Sequence, residues 1–352
     1  MDKQALEREI QGYGECPIIS DKILTDKNYQ NASLAGASFH KVDFSNSSFK
    51  GANLKEAIFI DCILEGTNLD ECNLTLTSFV NAKGKSATFK RTTFNYTNFT
   101  DSDLQECDFS HSSMTNTNFI GADLTASTFQ NTTTENVNFV NAKLGKSDFS
   151  DSSHFRPNFI DPELSGIKFD NALLNIAFFK SPDFTEYDFS NVKLIMCQFQ
   201  DAEMENINFS NRDLTQCGFS GANLKGANFS NSIANGCMFI GSKLAGAKFN
   251  KAQLNMAMFV DADIPLCDFS DTQMVQAQLT NTNCTESIFN NADLTYVDFS
   301  NADLSGSVIT NATLFRANLH SIIEEKTMWS GSDKSTGLAT DEKKAYAENY
   351  KP

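Results

Sequence analysis

The chain has 352 residues, of which 44 are acidic and 28 basic, giving a formal net charge of −16 and a sequence pI near 4.6. That surplus opposes unaided binding to nucleic acid or to an anionic membrane, since both repel it at long range, while basic protein surfaces stay available as partners. The composition is lopsided, with 31 Phe against a single Trp, and such bias asks first for an internal repeat.

Residues 1–31 form the first segment. MDKQALEREIQ mixes charges through its opening turns and has no apolar core region, so it is not a secretory signal. Its spacing predicts a short amphipathic helix that caps whatever follows. The longest apolar run, LLNIAFF at 173–179, is too short to span a bilayer. No membrane span is expected, and the chain should be cytoplasmic unless a signal-independent secretion system exports it.

From residue 32 to about 331 the sequence counts in fives. Of the 60 positions ending in 4 or 9 from Leu34 to Trp329, 48 are Leu or Phe, and Met, Ile and Trp raise the total to 54. Two places before each centre, Ala, Ser, Thr, Cys or Val stands in 52 of 60 cases, and no insertion shifts the frame. A helix repeats its apolar positions every three to four residues and a strand every two, so neither explains a period of five. Each quintet offers one large and one small side chain for burial, while Asn and Asp crowd the other places, where they favour turns. Burying a Leu or Phe contributes about 1.5–3 kcal/mol. Ordering one residue's backbone costs about 1–2 kcal/mol. A quintet therefore cannot fold alone, and quintets must stack to share burial and backbone hydrogen bonds.

This pattern resembles the pentapeptide-repeat family, whose loose consensus A(D/N)LXX stands here as ADLTA (122–126), ANLKG (222–226), ANFSN (227–231), ADLTY (292–296) and ADLSG (302–306). The resemblance implies an all-β fold, a right-handed quadrilateral β-solenoid in which four quintets make one coil, with about fifteen coils over residues 32–331. Phe dominates centres ending in 9 and Leu those ending in 4, and Cys197, Cys217 and Cys237 recur at intervals of twenty. Both features agree with a twenty-residue coil.

The register is least regular between Thr134 and Pro182. Thr134 and His154 would be vertical neighbours, and Pro157, Pro162 and Pro182 take places usually held by Ala or Ser. A kink or bulge is expected there, with Phe155 turning inward in place of His154. Residues 332–352 form a polar tail or cap, with a short helix predicted in TDEKKAYAENY.

Little of this carries chemistry. Seven of the nine cysteines (62, 72, 107, 197, 217, 237 and 267) hold the small interior place and Cys284 is a centre, so they read as small buried hydrophobes rather than as metal or redox groups. His40, His111, His154 and His320 are too scattered to cluster. There is no GxGxxG, GxxxxGK[ST], HExxH or GxSxG, and a uniform solenoid gives acid and base groups no pocket in which to converge. No catalytic residue, cofactor or metal is expected. Tyr187 and Arg212 stand where a small residue belongs, which predicts a local bulge that lets their polar ends reach solvent.

Dealing successive quintets to four walls makes the surface unequal. The wall centred on 44 + 20k carries −8, including Asp103, Glu106, Asp123, Glu163, Asp183, Glu186, Glu203 and Glu205, though lysines such as Lys143, Lys225 and Lys243 interrupt it. The adjoining wall centred on 39 + 20k places Ile60, Val80, Ile120, Val140, Ile160, Ile240 and Val260 outward, flanked by Phe178. β-branched residues suit an exposed sheet, yet contiguous apolar surface also marks partner sites.

Three functions are therefore weighed. The first is a non-catalytic scaffold on whose apolar ladder a protein, or a second copy of this chain, docks. The second follows from the resemblance alone: some members of that family mimic DNA and bind DNA gyrase or topoisomerase IV, giving quinolone protection or self-immunity. The unbroken register and the lysine interruptions depart from that subgroup. The third is an effector or accessory protein of a type VI or similar bacterial secretion system, suggested by a faint similarity in the tail.

Overall fold

The computed structural model describes residues 1–12, 18–185 and 187–349. Two compact units are present, Met1–Pro182 with Asn191–Lys193 and Asp183–Ser190 with Leu194–Pro352.

The quintet Ala52–Glu56 shows why the chain counts in fives. Asn53 donates its N–H back to Ala32 O (2.9 Å), whereas Leu54 and Glu56 donate forward to Asn73 O (3.0 Å) and Thr75 O (2.9 Å). Ala52 closes a turn on Phe49 O (2.7 Å), and Lys55 N–H reaches the Asn53 side-chain oxygen (3.2 Å). All five donors are satisfied, three of them between coils, so the Asn or Asp at the second place has a fixed task. Glu56 then turns the chain with φ 61°, a left-handed conformation that recurs at nearly every fifth residue.

The same scheme explains the prolines. Pro157, Pro162 and Pro182 are buried in the small place, whose N–H bonds no backbone carbonyl of another coil, so a proline there costs no backbone bond between coils.

In unit 1 the helix α1 (Lys3–Gln11) begins at Asp2, whose carboxylate accepts from Ala5 N. Leu6 and Ile10 are buried, Lys3 Nζ donates to Gln30 O (2.8 Å), and Glu7 Oε1 accepts from Ser33 N (2.9 Å), so the helix caps the first coil as expected. Strands β1 (Ile18–Ser20), β2 (Ser38–His40), β3 (Ile58–Ile60) and β4 (Ser78–Val80) pair in parallel, each residue opposite the one twenty later. Among the described residues the ladder thus starts at Ile18, earlier than the small-and-large pattern locates it. Ile19, Leu24 and Tyr29 are buried centres of an end coil, but Lys22 and Lys27 occupy its small places and lie exposed, which hid it.

A second parallel ladder joins β5 (Thr93–Asn95), β6 (Ser113–Thr115), β7 (Thr133–Glu135), β8 (Ser153–Phe155) and β10 (Leu173–Asn175). On the first wall, β9 (Asn158–Ile160) pairs with β11 (Phe178–Lys180). Isolated bridges at the same spacing, such as Lys143↔Glu163 and Asp148↔Lys168, complete four columns per twenty-residue coil. The fold is a β-solenoid.

The core is a set of ring stacks. Phe79, Phe99, Phe119 and Phe139 lie face to face at centroid distances of 4.8, 5.0 and 5.3 Å and meet a second column, Phe89 to Phe149, edge on. Offset stacked and edge-on rings are the arrangements the aromatic quadrupole favours.

Two local expectations are corrected. The ladders β7–β8–β10 and β9–β11 keep an even register where a kink was expected, and the departure lies at Asn171, whose N–H bonds Asn191 O, twenty residues on rather than the usual nineteen. Nor does Phe155 turn in. His154 is fully buried, its Nδ1 2.7 Å from Thr134 Oγ1 and its Nε2 2.6 Å from Ser152 Oγ, while Phe155 stays outside under the Arg156 guanidinium, 4.8 Å from its centroid. Two hydroxyls satisfy the imidazole, so flipping the strand would gain nothing.

After β12 (Lys193–Ile195) and β13 (Gln198–Gln200), unit 2 continues through bridges such as Gln198↔Gly218, Asn208↔Asn228 and Asn318↔Leu338. Tyr187 and Arg212 are half-exposed. The Tyr187 ring sits 5.4 Å from Phe184 and 4.6 Å from Phe189, and Arg212 Nη1 donates to Ser190 O. The tail folds back: α2 (Glu342–Asn349) is tied to the last coil by buried His320, whose Nε2 lies 2.9 Å from Glu348 Oε2 and whose Nδ1 accepts from Asp341 N at 3.1 Å. The His320 hydrogen bond holds the Glu348 carboxyl below the usual carboxylate range.

A glycine substitution tests the corner geometry. At Gly121 (φ +68°) an added Cβ would stand 2.2 Å from Asp101 Oδ1. Gly121→Ala is expected to lower stability by about 1–3 kcal/mol through backbone strain and displacement of that carboxylate, read from the shift in urea midpoint.

Candidate functional site

Outward residues on the 39 + 20k wall are set by strand alternation. In β3, Phe59 points inward, leaving Ile58 40% exposed and Ile60 half-buried on the outer face. Ile60 pairs with Val80. Further along unit 1, Asp101 N bonds Ile120 O, Gly121 N bonds Val140 O and Asn141 N bonds Ile160 O, each at 2.9 Å, so these three hold the same corner of successive coils. Each is half-buried, and Thr100 interrupts the column. Phe178 pairs with Asn158 beside it and Lys180 with Ile160, ending the apolar run. In unit 2, Ile240 is 38% exposed and Val260 half-buried in the corresponding places.

The acidic wall is less uniform than its charge suggests. In unit 1 its central column reads Asp103, Asp123, Lys143, Glu163, with Lys143 Nζ 3.9 Å from Asp123, and Lys85 Nζ lies 3.2 Å from Glu106. In unit 2 Asp183 pairs with Glu203, which accepts from Asn223 Nδ2 at 2.8 Å, and Lys225 Nζ lies 3.7 Å from Glu205. Glu186 lies outside the described residues. Exposed pairs of this kind contribute little to stability, but they cancel local field.

Cysteine chemistry is suppressed. Burial pushes the thiol of Cys62 up to about 11 and those of Cys72, Cys217 and Cys284 to about 12, and raises Cys107, Cys237 and Cys267 as well. The S–H groups of Cys62, Cys72, Cys107, Cys237 and Cys267 donate to backbone carbonyls, as from Cys72 Sγ to Phe49 O (3.0 Å), and Cys284 Sγ lies 3.1 Å from Thr282 Oγ1. A thiol held this far from its thiolate is a poor nucleophile and metal ligand. Among the described residues no group of three or more His, Cys, Asp and Glu could hold a metal ion, and no helix is long and apolar enough to cross a membrane.

At the left-handed corner between the 34 + 20k and 39 + 20k walls, unit 1 carries Leu76 and Tyr96, 48% and 60% exposed, and Ile176. Unit 2 carries Met196, Met256 and Tyr296 at the same sequence phase. Asn, Asp or Gly is the rule at this fifth letter of the quintet, and an apolar residue there stands out once the place is known to be left-handed.

Comparison with known proteins gives the following. A profile of a pentapeptide repeat region matches residues 22–99, 102–179 and 232–309, and a profile of pentapeptide repeats in eight copies matches 193–231. Among solved structures, QnrB1, a plasmid-mediated fluoroquinolone resistance protein, is 18% identical over 61% of this chain and 92% of its own, with a TM-score of 0.33. HetL, a pentapeptide repeat protein involved in heterocyst differentiation regulation in Nostoc sp. PCC 7120, is 14% identical over 97% of this chain and 98% of its own, with a TM-score of 0.24. A pentapeptide repeat protein of the Arabidopsis thaliana thylakoid lumen is 24% identical over 30% of this chain and 70% of its own, with a TM-score of 0.19. No curated protein matches the chain.

Proposed function

Because this chain belongs to the pentapeptide-repeat family, we propose that it is a non-catalytic scaffold that binds a protein partner through its solenoid faces. The observation that carries the reading is the outward column Ile60, Val80, Ile120, Val140 and Ile160 of unit 1. It repeats large β-branched side chains at one place of the coil, interrupted at Thr100, while the core itself is supplied by the inward centres. Ile240 and Val260 offer the same surface in unit 2.

DNA mimicry directed at a type II topoisomerase is the competing reading, and it draws on net charge. Against it stand the ion pairs Lys85–Glu106, Lys143–Asp123 and Lys225–Glu205 and the Asn223–Glu203 hydrogen bond, which break the acidic wall into neutralised patches. Loss of supercoiling activity on adding the protein to DNA gyrase would favour mimicry over the scaffold.

The test is the triple variant Val80→Asp, Ile120→Asp, Val140→Asp. These side chains face outward and are only half-buried, so circular dichroism should show the variant still folded at a somewhat lower thermal midpoint, while a partner that copurifies stoichiometrically with the wild-type chain from its native host is lost. An unchanged partner set in the folded variant refutes the ladder as the docking face.

A further inference from the structure

Large apolar residues at left-handed corners are costly twice over. An L side chain in that conformation loses about 1–2 kcal/mol to crowding of its Cβ. Exposure then forfeits the burial that could offset it. The other corners obey this logic: among the described left-handed residues outside the 36 + 20k phase, the only large apolar one is Leu266, and the rest are Gly, Ala, polar or charged. In unit 1 the 36 + 20k corner instead carries Leu76 (φ 59°, 48% exposed) and, one coil on, Tyr96 (φ 53°, 60% exposed). Beside them on the adjoining wall is Ile58, 40% exposed and paired with Ser78, while Val80 stands at the far end of that strand, next to the Asn81 corner. Folding supplies no reason for this cluster.

The charges around it specify what would cover it. On the two walls that meet at this corner, across the coils of Ile58, Leu76 and Tyr96, stand the carboxylates Glu56, Asp61 and Asp101 against one lysine, Lys55, which is itself paired to Glu56 at 3.2 Å. Asp61 and Asp101, at the next left-handed corner across the 39 + 20k wall, are left in surplus. A second copy of this chain would bring acid against acid, whereas a cationic amphipathic segment satisfies both the apolar centre and the acidic rim.

We propose that the Leu76–Tyr96 corner, with Ile58 beside it, is the anchor for a cationic amphipathic segment of a partner protein. This rests on the scaffold reading above and adds the edge used and the partner's chemistry. Side chains that crowd a left-handed backbone and face water are the places where binding, not stability, is gained.

The probe is a short fluorescent peptide of leucine and lysine patterned as an amphipathic helix, set against a leucine and glutamate counterpart and followed by anisotropy. The lysine peptide should bind the full-length chain, with affinity falling about tenfold or more in Leu76→Asn, Tyr96→Asn. The glutamate peptide should not bind, and because Asn suits the left-handed corner the thermal midpoint of the variant should stay equal or rise. Unchanged affinity in this variant overturns the inference, as does a fall in midpoint, which would make the two residues structural. If affinity is lost only in Ile120→Asp, Val140→Asp, the corner is refuted and the scaffold reading stands; if neither variant matters, both fall. Self-association of the wild type that disappears in Leu76→Asn, Tyr96→Asn, seen by light scattering, would replace the cationic segment with a second copy and overturn the assignment.

Discussion

Phe119→Ala is expected to cost about 3–5 kcal/mol, among the largest losses any single truncation in unit 1 can produce. The ring is fully buried, stacked on Phe99 and Phe139 at 5.0 and 5.3 Å and met edge on by Phe109 and Phe129 at 5.6 and 5.8 Å. Its own backbone is pinned by the bond from Phe119 N to Asn138 O (2.8 Å), as its neighbours' are by similar bonds, so the walls cannot close over the hole. Phe119→Leu keeps most of the volume and should cost about 1.5 kcal/mol or less. Urea denaturation checks both. A midpoint shift equivalent to less than about 1 kcal/mol for the alanine variant would mean that coils relax into cavities far more readily than a hydrogen-bonded ladder permits.

Acid is expected to weaken unit 1 through His154. The imidazole is fully buried, and its two partners fix its tautomer. Ser152 Oγ spends its proton on Phe149 O, so it accepts from Nε2–H, while Nδ1 accepts from the Thr134 hydroxyl. No carboxylate is bonded to the ring, and burial pushes its pKa down from 6.5 to about 3. Below pH 6.5 the unfolded chain binds a proton that the folded chain refuses. Stability contributed by the neutral ring is therefore complete above about pH 6.5 and falls by about 1.4 kcal/mol per pH unit down to about pH 3. At pH 4.5 the loss should reach about 3 kcal/mol. His154→Leu removes the titration, so the stability of the variant relative to the wild type should rise by that amount between pH 7.5 and 4.5. Parallel pH profiles for the two proteins would show that the ring admits a proton in the folded state.

The interior was the legible part. A bulky centre such as Phe119 and a small residue such as Thr117 need only point inward once per quintet, and that demand is written in residue type alone. The end coil was harder to see: Lys22 and Lys27 occupy small places that face water at the mouth of the solenoid, and a pattern that requires a small residue there fails. Phe155 misled because a Phe next to a His looks like the better core residue. What decides between them is hydrogen bonding, and the hydroxyls of Thr134 and Ser152 come from a neighbouring coil and from two residues away. The candidate surface was half legible. The wall column Ile60 to Ile160 follows from counting by twenties, but the Leu76–Tyr96 corner stands out only once the fifth residue is known to be left-handed.

By itself the sequence determined the period, the identity of the inward side chains and the family, because burial acts on each quintet separately and repeats without change. Only the tertiary structure decided which outward residues share a corner, which carboxylates are neutralised by a lysine or amide one coil away, and which buried polar groups find partners. Those contacts join residues about twenty apart, and their worth depends on distance and exposure rather than on residue type.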